Sequence, residues 1–503
     1  MADWSLLVDW DRNNSFADAY DDITADVTDQ ITWSLGCRAF KPIADEMELR
    51  FTVWNEDRKY SPEYASSPLY GKMLPNVPVQ LKFGTEVMWS GVLKNIKPAP
   101  LKFGKRRATV VCSGIKWLLD RIQVYTDLYQ NVTADVVIRA ILLGVVRPPV
   151  GTTYWVLGVP GYTELGVTTR LGAITDLMAL DEGVEVFEYI GDNIQESAII
   201  TTETKMGGYQ VISDLVTAER GLFYFNRAGK AVFWNQNKLL DYSAVDVTID
   251  NTADDFKYAT PADELVNRVK ITCFPRSESA TNTEILWSLD GTMPIPAGAV
   301  RDIYVNYKTT EGSGRGAKDV QTPAGGDLVY TGAGTLIASV DAGGQQAKIT
   351  IQNTNAYSEC EITTLVLRGR VISSVYPLEV VEEDLPSIKA HGLHSKKFVF
   401  KHVNSPAQAK DIAEFMLWHR LYHKKILSGR AESVDLVDQP ADESHEQIAY
   451  TMGHKILLND FQLNHSAEYL IVGEQHTLDS KSKELKTRWY LERAGKRLTY
   501  SAC

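Results

Sequence analysis

The residues best placed for metal chemistry are His419 and His423, four positions apart in a run with helical spacing and therefore on one face. A zincin helix needs Glu directly after the first histidine, and here that place is held by Arg420. The run from His445 to Ala449 (HEQIA) opens in the same way but has no second histidine. Ser113 and Gly114, in CSG, fall at an expected strand-to-helix turn outside any G-x-S-x-G elbow, where small residues serve sterically. Gly332 and Gly334 imitate the start of a dinucleotide fingerprint without its third glycine and without a βαβ pattern, so a flexible turn is the simpler reading. No G-x-x-x-x-G-K-S/T phosphate loop occurs.

Carboxylates cluster at Glu382, Glu383 and Asp384 and at Asp181, Glu182 and Glu185. Glycoside hydrolysis requires two carboxyls held about 5 to 9 Å apart. Among 64 acidic residues such clusters arise by chance, so a solvated face is expected. The sequence therefore assigns no catalytic residue, no metal ligand and no cofactor, and the chain reads as non-enzymatic. Of its 11 Trp and 23 Tyr, Trp33, Trp54, Trp89, Trp234 and Trp489 lie in strand-like runs and read as core or subunit interface, with a glycan-binding platform as the alternative. The basic stretch Lys102, Lys105, Arg106 and Arg107 reads as a solvated hairpin tip before a surface for nucleic acid or an acidic partner.

The elements that carry these residues fall into blocks. Residues 1–120 alternate apolar and polar in short runs: ELRFTV from Glu48, VPVQLKF from Val77 and VMWSGVLKNI from Val87, the last two joined by Gly84 and Thr85. A short helix is expected near 115–122. From Thr133 the spacing turns helical through Leu143 until Pro148 and Pro149, and 121–219 reads as a mixed connecting domain. Gln210 to Glu219 is helical and runs into a hairpin turning at Asn226 to Gly229. Residues 278–390, rich in glycine from 310 to 345, read as an inserted β-sandwich-like domain with mobile loops. In 391–425, Ser405, Pro406 and Gln408 cap a helix whose stripe Ala409, Ile412, Phe415, Met416, His419, Tyr422 runs about five turns. Strands including YLIVGE from Tyr469 and KTRWYL from Lys486 finish the chain.

At roughly 150 residues per domain, 503 residues predict three or four domains. The first residues, MADWSLLVDWDR, do not read as a secretory signal, and no apolar run reaches the roughly 20 residues of a membrane span. Five scattered cysteines (Cys37, Cys112, Cys273, Cys360, Cys503) suggest neither a disulfide framework nor a C-x-x-C zinc site. A net charge of −12 argues against tight gripping of nucleic acid and leaves room for a surface past which it slides.

The run Asn55, Asp57, Arg58, Tyr60 to Pro62 (NEDRKYSP), then SPLYG from Ser67, PNVPV from Pro75 and WSGV from Trp89 resembles the opening domain of tail hub proteins of long-tailed bacteriophages. The helix and hairpin over 210–234, the strand with Asn267 and Arg268 (VNRVKI), the helix from 406 and the closing strands are similar to the rest of that scaffold; 278–390 is not part of it. The resemblance implies an α+β, mainly β fold with two tube-like β-barrel domains: one at 1–120, the other discontinuous from 220–277 and 426–503. It implies a homotrimeric hub at the distal end of the tail, assembled in the bacterial host cytoplasm. The hub would join a hexameric tail tube or distal tail protein to a tip, spike or fibre protein. It would also meet the tape measure protein and pass DNA through its lumen without specific binding. The alternative function is a receptor- or glycan-binding tail protein, acting on host surface glycan through the inserted domain.

Overall fold

The computed structural model describes residues 4–114 and 208–494, apart from short stretches of which the longest are 100–105, 235–243, 308–315 and 418–429, together with Lys116, Ala134 and Ile138. The expected helix from Thr133, most of the connecting domain, His419, Tyr422, His423, the Asp181 carboxylate group, Lys102, Lys105, Ser405 and Cys503 lie outside the described residues.

The first strands are β1 (Trp4–Val8), β2 (Gln30–Gly36), β3 (Glu48–Trp54), β4 (Pro78–Phe83), β5 (Glu86–Ala99) and β6 (Arg107–Ser113). β1, β3 and β4 alternate as half-buried strands must: Leu6 and Val8, Leu49, Phe51 and Val53, and Val79, Leu81 and Phe83 all point inward. Gly84, at φ +57, turns β4 into β5. After helix α1 (Gly208–Glu219), the wholly buried strands β7 (Leu222–Phe225) and β8 (Ala231–Trp234) form a hairpin whose turn closes through Gly229 N–H to the Asn226 carbonyl, 2.9 Å. Then come β9 (Val247–Ile249), β10 (Asp255–Ala259) and β11 (Arg268–Cys273).

The inserted strands are β12 (Arg276–Glu278), β13 (Glu284–Ser288), β14 (Met293–Ile295), β15 (Val300–Asn306), β16 (Gly316–Gln321), β17 (Leu328–Gly332), β18 (Leu336–Ala342), β19 (Gln346–Asn353) and β20 (Cys360–Ser374). β12, β13, β14, β16 and β17 all pair along β20, and β15, β19 and β18 form a second sheet. Ile295, Ile349, Ile351, Ile362, Leu365 and Leu367 make the common core between them. The chain continues through β21 (Leu378–Glu383), α2 (Leu385–His391), β22 (Ser395–Val399), α3 (Pro406–Phe415), β23 (Arg430–Asp438), α4 (Glu446–Ala449), β24 (Lys455–Asp460), β25 (His465–Asp479) and β26 (Leu485–Arg493).

The fold is mainly β with few helices, and no sheet closes into a barrel among the described residues. β11, expected in the second β-domain, instead pairs with β21 and β22 in a separate three-stranded sheet covered by α3, where Val269 and Ile271 meet Ala409, Ile412 and Ala413. Strand β21, Leu378–Glu383, expected in the insert, belongs to this sheet too. The chain leaves the insert close to where it enters, so the two flanking strands lie side by side and pair antiparallel.

β1 to β6, together with β9, β10 and β23 to β26, form one twelve-stranded sheet. Its two halves repeat one order. Ranked by position in the chain, the strands of each half run second, third, sixth, fifth, fourth, first: β2-β3-β6-β5-β4-β1 and β10-β23-β26-β25-β24-β9. The correspondence reaches details. In both halves the fifth strand is long and slips register against the sixth, at Leu93/Asn95 and at Ile471/Gly473. Before each slip, a residue with positive φ, Asn76 or Gly453, donates its N–H to the fifth strand, at Leu93 or Ile471. The halves differ in strand one, since β1 is antiparallel to β4 whereas β9 is parallel to β24.

Candidate functional site

The two halves join where β2 lies antiparallel on β25, from Gln30 opposite Asp479 to Gly36 opposite Gly473. β24 covers only the first part of β25, so the edge beyond Ile471 is free to take β2. The bulge at that point also changes which face is buried. Tyr469 and Ile471 feed the core of the second half, whereas Leu478 belongs to the core of the first.

Glu474 and His476 follow the bulge on the inward side and are fully buried. Arg227, from the β7–β8 turn, reaches Glu474 through Nε (2.9 Å) and Nη2 (2.6 Å), and donates to the carbonyls of Ile448 (2.5 Å) and Tyr450 (3.0 Å). Thr451 Oγ1 donates to Glu474 at 3.0 Å, and His476 Nδ1 lies 2.9 Å from Thr487 Oγ1. The His476 ring stacks on Trp33 of β2, with centroids 4.8 Å apart. A bidentate, charge-assisted pair with its remaining donors used on carbonyls is the arrangement that lets an ion pair survive burial. It ties the hairpin, both halves of the sheet and the α4 segment to one point.

Burial is the largest influence on the Glu474 carboxyl and pushes its pKa up, but Arg227 and His476 together outweigh it and hold the pKa well below the usual carboxylate range. Burial lowers the His476 pKa, against the pull of Glu474. The unfolded chain therefore protonates this histidine first as pH falls. Its contribution to stability is complete above about pH 6.5 and is lost below it, whereas that of Glu474 is lost only below about pH 4.3. Melting temperature should accordingly drop between pH 6.5 and 5, and His476→Gln should flatten that slope. An unchanged slope in the variant would refute the assignment.

A second latch joins the halves at the surface. Glu443, between β23 and β24, accepts from Thr85 N–H (2.6 Å) and Thr85 Oγ1 (3.0 Å) at the β4–β5 tip.

The residues singled out from sequence have structural surroundings. Trp33, Trp89, Trp234 and Trp489 are buried, whereas Trp54 is half-exposed with the Arg107 guanidinium 4.8 Å over its ring. Ser113 is buried at the end of β6, and a side chain on Gly114 would meet Met47 Cβ at 2.7 Å. Glu383 pairs with Arg268, and Asp384 caps α2 by accepting the Ser387 N–H. His445 precedes α4 and pairs with Asp438 at 3.1 Å. Gly332 and Gly334 are a tight turn, with Glu359 and Cys360 so close that neither place has room for a Cβ. Among the described residues no three His, Cys, Asp or Glu side chains are grouped to hold a metal, and no helix is long and apolar enough to cross a membrane. The clasp around Arg227 was missed by sequence reading. Its signal was the pair Glu474 and His476 at core-facing positions of an otherwise apolar strand.

No protein-family model matches the chain, and no curated protein does. Solved structures similar to it along nearly its whole length include the tail protein from Neisseria meningitidis, at 8% identity, TM-score 0.48, covering 97% of this chain and 96% of that one. The 43 kDa tail protein of prophage MuSo2 from Shewanella oneidensis is 9% identical, TM-score 0.48, covering 98% of each chain. A type VI secretion system component of E. coli is 10% identical, TM-score 0.35, covering 94% of this chain and 76% of that one.

Proposed function

We propose that the chain is a structural, non-enzymatic phage tail protein, a hub whose three copies close into a ring at the distal end of the tail. The observation that carries this reading is the repeated sheet order with one seam used and its counterpart left open. Inside the chain, strand two of one half lies on the free part of strand five of the other. β10, the strand-two equivalent, is the end of the sheet among the described residues. Among the described residues, 95–99 of β5, the equivalent of the part of β25 that β2 covers, are paired on one side only, with β6. Laying β10 of one copy on β5 of the next repeats the internal seam and covers two edges that otherwise invite aggregation. Lys97 is exposed on one edge, and Asp254, Asp255 and Lys257 are exposed at the other.

Three chains supply six such units, each tube-like in this reading, to face a hexameric tube on one side and a threefold tip, spike or fibre on the other. The lumen would adjoin the tape measure protein and then conduct DNA, and the −12 charge of each chain would keep DNA from sticking. Native mass measurement with electron microscopy of the purified chain tests this. A threefold ring with a central hole is expected, and a monomer at all concentrations would overturn it. A second reading, glycan binding through the insert, is favoured by Tyr357. Its ring is 95% exposed on a loop braced by Asn353 and Asn355.

A further inference from the structure

The internal seam has two contacts, and the second identifies a further interaction surface. The half that lends strand two (β2) also lends its tip between strands four and five, at Gly84 and Thr85. The half that lends strand five (β25) also lends the connection between strands three and four, where Glu443 grips that tip. Applied to the open seam, the same operation brings the β24–β25 tip, residues 461–464, onto the β3–β4 connection, residues 55–77, of another copy.

Both segments carry the side chains such a contact needs. Phe461 is 73% exposed and Leu463 is 55% exposed on the tip, and Tyr70 and Leu74 are exposed on the connection. Neither segment is loose. Asp460 Oδ1 accepts the Leu463 N–H at 2.7 Å, and Asn464 holds the turn with φ 49°. On the connection, the Asn55 side chain accepts the Tyr60 N–H at 2.8 Å, Ser67 Oγ donates to the Lys59 carbonyl at 2.6 Å, and Tyr60 and Leu69 are buried anchors. Preorganised apolar side chains pay little ordering entropy when covered, which makes them interface anchors.

We infer that Phe461 and Leu463 dock on Tyr70 and Leu74 of the next copy of this chain, an inference that rests on the ring reading and adds to it a specific anchor. The four side chains are large and apolar at positions where the internal seam uses the polar pair Thr85 and Glu443. A contact that is made only on assembly can afford apolar groups and gains most from them.

The full-length chain carrying Leu74→Cys and Leu463→Cys, oxidised with diamide, tests it by non-reducing gel electrophoresis. Covalent dimers and trimers are expected from the double variant and not from either single one. In parallel, Phe461→Asp with Leu463→Asp should raise the concentration for half-assembly roughly tenfold or more, with the melting temperature of the isolated chain unchanged. Rings that form with native affinity in the Asp variant, and no cross-link in the Cys variant, would overturn the docking while leaving the ring intact. A wild-type chain that never assembles would overturn the ring and the docking together.

Discussion

Arg227→Met should cost about 3–5 kcal/mol of stability, because it leaves Glu474 charged and unpaired in the core where the two halves of the sheet meet. The loss comes less from the missing attraction than from the desolvation of the stranded carboxylate, whose other hydrogen-bond donor, Thr451 Oγ1, does not replace a guanidinium fork. The double variant Arg227→Met with Glu474→Leu removes both charges and should recover most of the loss. Urea unfolding followed by tryptophan fluorescence reads this directly, since Trp33 stacks on the adjacent His476. A single variant within 1 kcal/mol of wild type, as an order-of-magnitude threshold, would mean that water reaches the pair and that the clasp does not hold the seam.

What could be read from sequence was set by periodicity. The runs ELRFTV, VPVQLKF and KTRWYL alternate because one side of each faces a core, and each is a strand in the structure. The hairpin at 222–234 announced itself through two apolar runs around Asn226 to Gly229. Partner choice was not legible in this way. β11 alternates as regularly as β26, and nothing in Arg268–Cys273 says that it pairs with β21 across the insert. The repeated strand order is likewise a property of pairing. The equivalent strands share no motif, only a long fifth strand, a bulge and a positive-φ residue in the same place, and these acquire meaning once the ladder is known. The motif NEDRKYSP proves to be turn chemistry. Asn55 accepts from Tyr60, Arg58 has φ 63°, and the Tyr60 hydroxyl donates to Asp26 at 2.5 Å.

Gly473→Ala should be among the most damaging single methyl groups in the sheet. A Cβ there would stand 2.2 Å from the Cys37 carbonyl oxygen and 2.7 Å from the Cys37 nitrogen, both backbone atoms that cannot rotate away. Its cross-strand partner Gly36 is equally confined, with φ +78° and Met452 Sδ 2.4 Å from where a Cβ would be. Relief requires β2 to move off β25, so the cost is set at about 3 kcal/mol, the upper end of ordinary overpacking. Gly71→Ala provides the control. It has φ +76° with nothing within 4 Å, and should cost only the roughly 1–2 kcal/mol of a left-handed alanine. Equal losses in the two variants, measured by urea unfolding, would show that the halves are not close-packed at Gly473. The position equivalent to Gly473, directly after the register slip in β5, is Asn95, which carries a side chain. The seam proposed between copies therefore lacks the glycine pair, Gly36 and Gly473, found where β2 lies on β25. Unfolding should then proceed in two stages on dilution into urea, with the ring separating at a lower concentration than the one that parts β2 from β25.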